Sequence, residues 1–240
     1  MDAAYGANYR QLYKTHWWWR ARERILRRTL KSLPLPAGAE ILDFGCGDAL
    51  SFAMLGDFGN VRGIEVDVNL IDPANPDRAL ISTEPLGSAE YRASKFDLIT
   101  AFDVIEHIND HSEAVRRLVD MLKPGGLLLI TVPAFMSLWD QHDVVNRHFR
   151  RYRRSELQSI VPPAAHLVDS RYIFHWLFPM KWLLARLNQN RANAVAQHHI
   201  PIAPVNWLLE RICAAEFVLF RWARLPFGTS VLALIQRAER

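Results

Sequence analysis

Ile41-Leu42-Asp43-Phe44-Gly45-Cys46-Gly47-Asp48-Ala49 decides the fold. An apolar run enters a turn that carries an acid and two glycines at alternate positions, and a further apolar segment follows. This is how the first strand of an α/β nucleotide-binding domain passes into its first helix. Glycine is needed there because a Cβ would keep the backbone away from a ligand laid across the strand ends. The spacing excludes a dinucleotide fingerprint. G-x-G-x-x-G starting at Gly45 requires glycine at position 50, where the chain has Leu50. What remains is D-x-G-x-G, with Asp43 on a short, rigid arm able to reach a ligand amine or hydroxyl.

Upstream of the turn, residues 1–34 read as helical. Trp17, Trp18, Trp19, Leu26 and Leu30 supply an apolar stripe, and Arg20, Arg22, Arg24, Arg27 and Arg28 a charged one. Leu33-Pro34-Leu35-Pro36-Ala37-Gly38 breaks the chain before strand one at 40–44. Downstream, a helix is expected near Ala49 with Asp48 as its N-cap, and a second strand at 61–66. Residues 67–95 are rich in Pro, Asp and Asn. They are too short for a full helix and leave room for a brief strand at 79–82. The next buried strand is 96–102, followed by a helix at 111–122 that Lys123-Pro124-Gly125-Gly126 stops. Residues 127–132 form a continuous apolar strand, as suits a parallel sheet covered on both faces. A helix near 155–160 and strands near 167–174 and 230–235 complete the sheet.

The 240 residues can bury one full core, and with half of them hydrophobic and 22% charged the chain is globular. Cys46 and Cys213 form neither a disulfide framework nor a zinc site, which points to a reducing, cytoplasmic setting. The first residues lack the apolar core of a signal peptide, and no stretch reaches the roughly 18–20 uninterrupted apolar residues of a spanning helix. A net charge of +4 is compatible with an anionic partner, but a solvated basic surface is the favoured reading. No metal is expected.

Glu65 ends strand two about 20 residues beyond the glycine turn, where an acid can accept both ribose hydroxyls of a nucleoside. Asp103-Val104-Ile105-Glu106-His107-Ile108-Asn109-Asp110 follows a buried strand, so its polar groups stand at the ligand end of the sheet. Glu106 fits that role, or equally an acidic helix start favoured by the helix dipole. His107 is the better chemical candidate, since an imidazole titrating near neutrality suits a base that takes a proton from a hydroxyl. A structural histidine at a strand–helix junction is the alternative.

With these residues in place, the chain resembles the class I S-adenosylmethionine-dependent methyltransferases. Residues 41–49 are similar to the family's first motif, Gly63-Ile64-Glu65-Val66-Asp67 to its acidic second-strand motif, and residues 96–110 to its fourth-strand motif. Leu122-Lys123-Pro124-Gly125-Gly126 is similar to the turn before its fifth strand. The branch most alike is that of the ubiquinone-biosynthesis O-methyltransferases. One departure is Ala49, where the motif usually has a third glycine.

The resemblance implies a Rossmann-like, doubly wound seven-stranded sheet with an N-terminal helical cap over 1–34. The methyltransferase domain would span 35–240, with a helical insertion over 176–226 before the last strand. It implies S-adenosylmethionine as cofactor, held by Asp43, Gly45, Cys46, Gly47 and Glu65, with Phe102 and Asp103 beside the adenosine and the transferring methyl. Thr83 and Glu84 are guesses for the adenine contact. No DPPY-like tetrapeptide follows strand four, so a nucleic-acid acceptor is not expected.

Two flanks look specialised. His16-Trp17-Trp18-Trp19 can cap the cofactor, or simply pack on the sheet. After strand five, residues 138–152 are polar and aromatic and emerge where an acceptor would sit. His142 and His148 stand behind His107 as candidate bases, with Arg150 and Tyr152 as further substrate-site candidates. Residues 172–224 are dense in Trp, Leu and Phe, with Arg186, Arg191, Arg211, Arg221 and Arg224 interleaved. They are expected to form two amphipathic helices acting as a substrate lid, a homodimer face or a peripheral membrane contact. The leading function is methyl transfer to a small-molecule or lipid- or glycan-linked acceptor, at oxygen. A non-catalytic cofactor-binding regulatory module and, behind it, a nucleic-acid methyltransferase are the alternatives.

Overall fold

A computed structural model describes residues 10–86, 88, 95–187, 200–220 and 223–239. Seven strands form one sheet: β1 (Ala39–Phe44), β2 (Gly59–Ile64), β3 (Ile81–Ser82), β4 (Phe96–Phe102), β5 (Leu122–Pro133), β6 (Ala165–Ile173) and β7 (Ser230–Arg237). Their order is β3-β2-β1-β4-β5-β7-β6. β1 to β5 run parallel, while β7 lies antiparallel between β5 and β6. The order therefore reverses between β1 and β4, and ligands of open α/β sheets bind beyond the carboxyl ends of the strands at such a point.

The apolar runs form strands because both faces of the sheet are covered. Successive residues alternate between two cores, as the two-residue period of a strand requires. Leu42, Ile99, Leu128 and Ile130 face one core, with Val115, Leu118 and Val119 of α3 (His111–Met121). Ile41, Leu98, Leu127 and Leu129 face the other, with Ile25, Leu26 and Leu30 of α1 (Trp17–Leu30). α1 opens on His16, whose ring accepts the Trp18 N–H, and α3 on Asp110, whose carboxylate accepts the Glu113 N–H. Each cap satisfies a backbone donor that its helix leaves unpaired.

The helix expected near Ala49 is a correction. Ala49 sits at φ 57° in the left-handed region, and α2 (Phe52–Leu55) spans only four residues. Asp48 is not its cap. The Asp48 carboxylate instead accepts from the Asp72 N–H and the Asn75 amide, both at 2.8 Å, and pairs with Arg10 at 2.8 Å. These contacts fold the stretch after β2 back over the turn. That stretch holds two single-turn 3-10 segments, Val68–Leu70 and Arg78–Leu80, before the brief β3. β5 is longer than expected: Leu122 already pairs with Phe96, so the Lys-Pro-Gly-Gly turn enters the strand after an irregularity in register.

Between β6 and β7 lie α6 (Leu177–Leu187) and α7 (Ala203–Leu219), preceded in the chain by α4 (Gln141–Val145) and α5 (Arg154–Ser159). Arg191, Arg221 and Trp222 fall outside the described residues. α7 packs along α1. Glu210, 1% exposed, pairs with Arg20 at 2.8 Å and Arg24 at 2.5 Å, and Asn206 accepts the Trp17 N–H at 2.9 Å. Its buried residues are Glu210, Cys213 and Glu216, while Val205, Trp207, Leu208, Ile212, Val218 and Leu219 face outward. α6 likewise buries only Leu177 and exposes Met180, Leu183, Leu184 and Leu187. Among the described residues no helix is long and apolar enough to cross a membrane.

Candidate active site

The turn after β1 is fixed from below. The Gly45 and Cys46 N–H groups both donate to the Ile64 carbonyl of β2, at 2.8 and 3.2 Å. Gly45 lies at φ 70°, and a Cβ there would stand 2.5 and 2.6 Å from the Val104 methyl groups. Gly47, at φ 54°, differs: a Cβ on it would meet nothing within 4 Å. The turn thus leaves open space over its second glycine, the cradle a bound cofactor needs.

Asp43 does not reach over the turn. It is buried beneath it, accepting from the Ser51 hydroxyl and from Thr100 Oγ1 at 2.5 Å. Burial raises its pKa to about 6, against the opposing hydrogen bonds and the Arg22 charge. Glu65 comes to the turn from β2. Oε2 accepts the Gly47 N–H at 3.0 Å and Oε1 the Asp67 N–H at 2.9 Å. Burial raises its pKa as well. The Cys46 thiol, packed against Gly63, is pushed far up by burial and is no nucleophile.

Phe102 and Asp103 stand across from this turn, Asp103 at φ 57°. The Asp103 carboxylate pairs with Arg22 at 2.6 Å, and Arg22 also donates to Thr131 Oγ1 at 3.0 Å. The guanidinium lies 5.4 Å from the Phe102 ring and 5.7 Å from the Trp18 ring. Arg22 therefore belongs to the buried face of α1, not to the charged stripe. Its spacing from Trp19 and Leu26 carried that signal, because three and four residues apart is one helix face. Trp19 is buried and Trp18 stacks on Phe174, so the tryptophan segment packs on this end of the sheet. Thr83 and Glu84 are exposed beyond β3.

The second half of the site gathers around Glu106. It is fully buried, and neither carboxylate oxygen has a hydrogen-bond partner among the described residues. Burial, then the nearby Asp103 charge, holds its pKa well above the carboxylate range. The His107 ring meets the His148 ring edge-on at 4.5 Å between centroids, and His142 lies 6.1 Å from His148. Burial lowers the pKa of His107 and of His142. The three histidines expected from sequence are thus brought together.

Their support went unread in the sequence. His148 Nδ1 donates to Asp143 Oδ1 at 2.7 Å, and Arg151 clamps the same carboxylate with contacts of 2.8 to 3.0 Å. Burial pushes Asp143 upward, but these bonds win and hold it well below the usual range. Asp143 also closes a capping box with Asp140 at the start of α4. Tyr152 is not at the acceptor surface. It is 1% exposed, bridging His111 at 2.9 Å and the Ile105 carbonyl at 3.3 Å. Arg150 donates to the Asn109 carbonyl at the rim.

Comparison with known proteins matches residues 18–166 to the methyltransferase domain family. A ubiquinone biosynthesis O-methyltransferase of Xanthomonas axonopodis pv. citri is 33% identical over 108 residues, 40% of this chain and 44% of that one. A 27-O-demethylrifamycin SV methyltransferase of Amycolatopsis mediterranei is 29% identical over 121 residues, 46% of this chain and 44% of that one. The chain spans about half the length of the curated relatives it matches. Among solved structures, a Haloferax volcanii methyltransferase in complex with the Trm112 activator superposes with a TM-score of 0.61 at 15% identity. The match covers 99% of this chain and 95% of that one, and shows a shared fold.

Proposed function

The chain belongs to the methyltransferase domain family, and on that premise we propose that it transfers a methyl group from S-adenosylmethionine to a hydroxyl oxygen of a small or lipid-linked acceptor. The observation that carries the reading is the paired construction of the site. An open glycine turn, with Glu65 beside it and Asp43 beneath it, stands on one side of the sheet's switch point, and a cluster of half-buried histidines around the buried Glu106 stands on the other. In this reading the backbone at Gly45–Gly47 receives the methionine end of the cofactor, and Glu65 receives the ribose. Asp103 and Phe102 border the methyl. The sulfonium carries the reactivity, so the protein's part is to align the acceptor oxygen in line with the methyl and to free it of its proton. The buried polar cluster at 106–148 supports an enzyme over a binding module, which has no use for it.

The acceptor's apolar character is supported by α6 and α7, whose outward faces are apolar. Arg186 lies over Trp182 at 4.1 Å and Arg211 over Trp207 at 5.4 Å. Arginines so placed can meet anionic head groups while their stems lie on apolar surface. Labelled methyl transfer into separated lipid and aqueous fractions, with calorimetry against S-adenosylmethionine, its demethylated product and NAD, tests the whole reading. Label in lipid products and no NAD binding are expected. Tight NAD binding with no response to S-adenosylmethionine ends it.

A further inference from the structure

The carboxyl edge of the sheet is strained well beyond the cofactor turn. Ala49, Asp103, Phe135 and Phe174 all hold φ between 57° and 59°, a region that disfavours any residue with a Cβ. Ala49 and Asp103 border the cofactor site, whereas Phe135 and Phe174 follow β5 and β6. β6 lies three strands from β4, roughly 14 Å away at the usual strand spacing. A line of rings fills that interval. Phe135 stacks on Tyr172 at 4.8 Å and meets Phe178 edge-on at 5.3 Å. Phe178 lies 5.6 Å from Phe227, Phe227 6.0 Å from His175, and His175 5.6 Å from Phe220. The line ends in a solvent-open cleft of about 330 Å³ between the end of β6 and the end of α7, walled by Tyr172, His175, Phe217 and Phe220. The polar groups there are committed to one another. Arg171 Nε donates to Asp169 at 2.7 Å, Arg224 lies 3.8 Å from the same carboxylate, and His175 Nδ1 donates to Glu216.

We propose that this cleft is the subsite for the part of the acceptor that does not react, and that this part is a neutral hydrocarbon chain. Aromatic walls offer such a chain a large apolar area. A phosphate or carboxylate would need a free cation, and both arginines of the cleft already face Asp169. The rings make the cleft continuous with the acceptor end of β5, where Phe135 follows Pro133 and Ala134. The reacting hydroxyl then lies by the histidines beyond β4, and the chain lies along the rings toward α7. Backbone strain at Phe135 and Phe174 fits this path, because such strain gathers where a site is pre-organised for a ligand. The path from hydroxyl to cleft rests on the methyl-transfer reading, while the capacity of the cleft to hold a chain does not.

The test takes the full chain and measures binding of labelled farnesol, dodecanol and phenyl phosphate separately by equilibrium dialysis. One equivalent of an alcohol should bind, the tighter of the two identifying the chain as prenyl or acyl, with phenyl phosphate weaker. Phe220→Asp, which sets a charge in the cleft, and Ala223→Trp, which fills it, should each lose at least about tenfold in affinity for the alcohol. Both positions are exposed, and unchanged S-adenosylmethionine binding shows that the variants fold. Leu184→Glu with Leu208→Glu, on the outer faces of α6 and α7, should leave alcohol binding as it is. Should a cleft variant fail to fold, a diazirine-bearing dodecanol photocrosslinked to the wild-type chain decides. Adducts on His175, Phe217 or Phe220 support the proposal, and adducts confined to the outer faces overturn it. Binding of neither alcohol, equal binding in the cleft variants, or tighter binding of phenyl phosphate also overturns it. Methyl transfer without alcohol binding sinks the cleft alone, and alcohol binding without methyl transfer sinks the function alone.

Discussion

Asp43 gains two hydroxyl donors beneath the glycine turn but loses water, and the loss dominates: its pKa rises from 3.8 to about 6. The folded chain therefore holds this proton more tightly than the unfolded chain does. Its contribution to stability is greatest below the unfolded value and is lost as the pH rises through about 6, by about 3 kcal/mol. Urea unfolding of the wild type and of Asp43→Asn from about pH 4 to about pH 7 should diverge by that amount. Parallel curves reject the assignment. Because ionised Asp43 favours a cationic ligand, S-adenosylmethionine affinity should rise over the same interval in the wild type alone. Two glycines nearby are expected to fail differently. Gly47→Val fills the open space and should abolish cofactor binding, at a strain cost of about 1–2 kcal/mol to the fold. Gly63→Ala drives a Cβ onto the Cys46 thiol and to 2.9 Å from Phe52, so thermal unfolding should report the damage even without ligand.

Elements were legible where a segment's own pattern determines its environment. The runs at 40–44, 96–102 and 127–132 declare strands because each is buried on both faces. α2 was not legible, since what replaces the expected helix is a set of bonds from Asp48 to residues 24 and 27 positions on. Nor was the Asp143–His148–Arg151 clamp, whose two halves lie in a short helix and the loop after it. The histidines were singled out by their chemistry, but their mutual contact depends on the strand order. The pairing of α1 with α7 is another long-range fact, and it rests on Glu210. Its arginine partners are 44% and 46% exposed, so solvent screens part of the attraction. Glu210→Ala should cost about 1–2 kcal/mol, lowering Tm by about 2–4 °C for each. Glu210→Leu should recover much of the loss by packing, since a buried ion pair replaced by apolar groups is often nearly neutral. Equal losses in both variants would assign the stability to the charges.

Across the whole molecule, α7 is built inside out, acids inward and apolar residues outward. Trp207 is 56% and Leu208 50% exposed, and an apolar face of this kind marks an interaction surface. Leu209 and Phe217 are half-buried, and Phe217 packs on the core. Leu184→Glu with Leu208→Glu tests the outer face instead. The double variant should lose co-sedimentation with anionic vesicles and keep its affinity for S-adenosylmethionine. A salt-insensitive dimer that it disrupts would assign the face to a second copy of the chain. One helix joins this face to the site: α1 sends Arg22 to Asp103 and, from the same turns, Arg20 and Arg24 to Glu210. A ligand that moves α7 therefore acts on the Asp103 carboxylate through α1. Thermodynamic reciprocity makes the effect measurable from either end. Whatever factor vesicles add to cofactor affinity, cofactor must add to vesicle affinity, so a lipid surface would serve the chain as an effector as well as a place to dock.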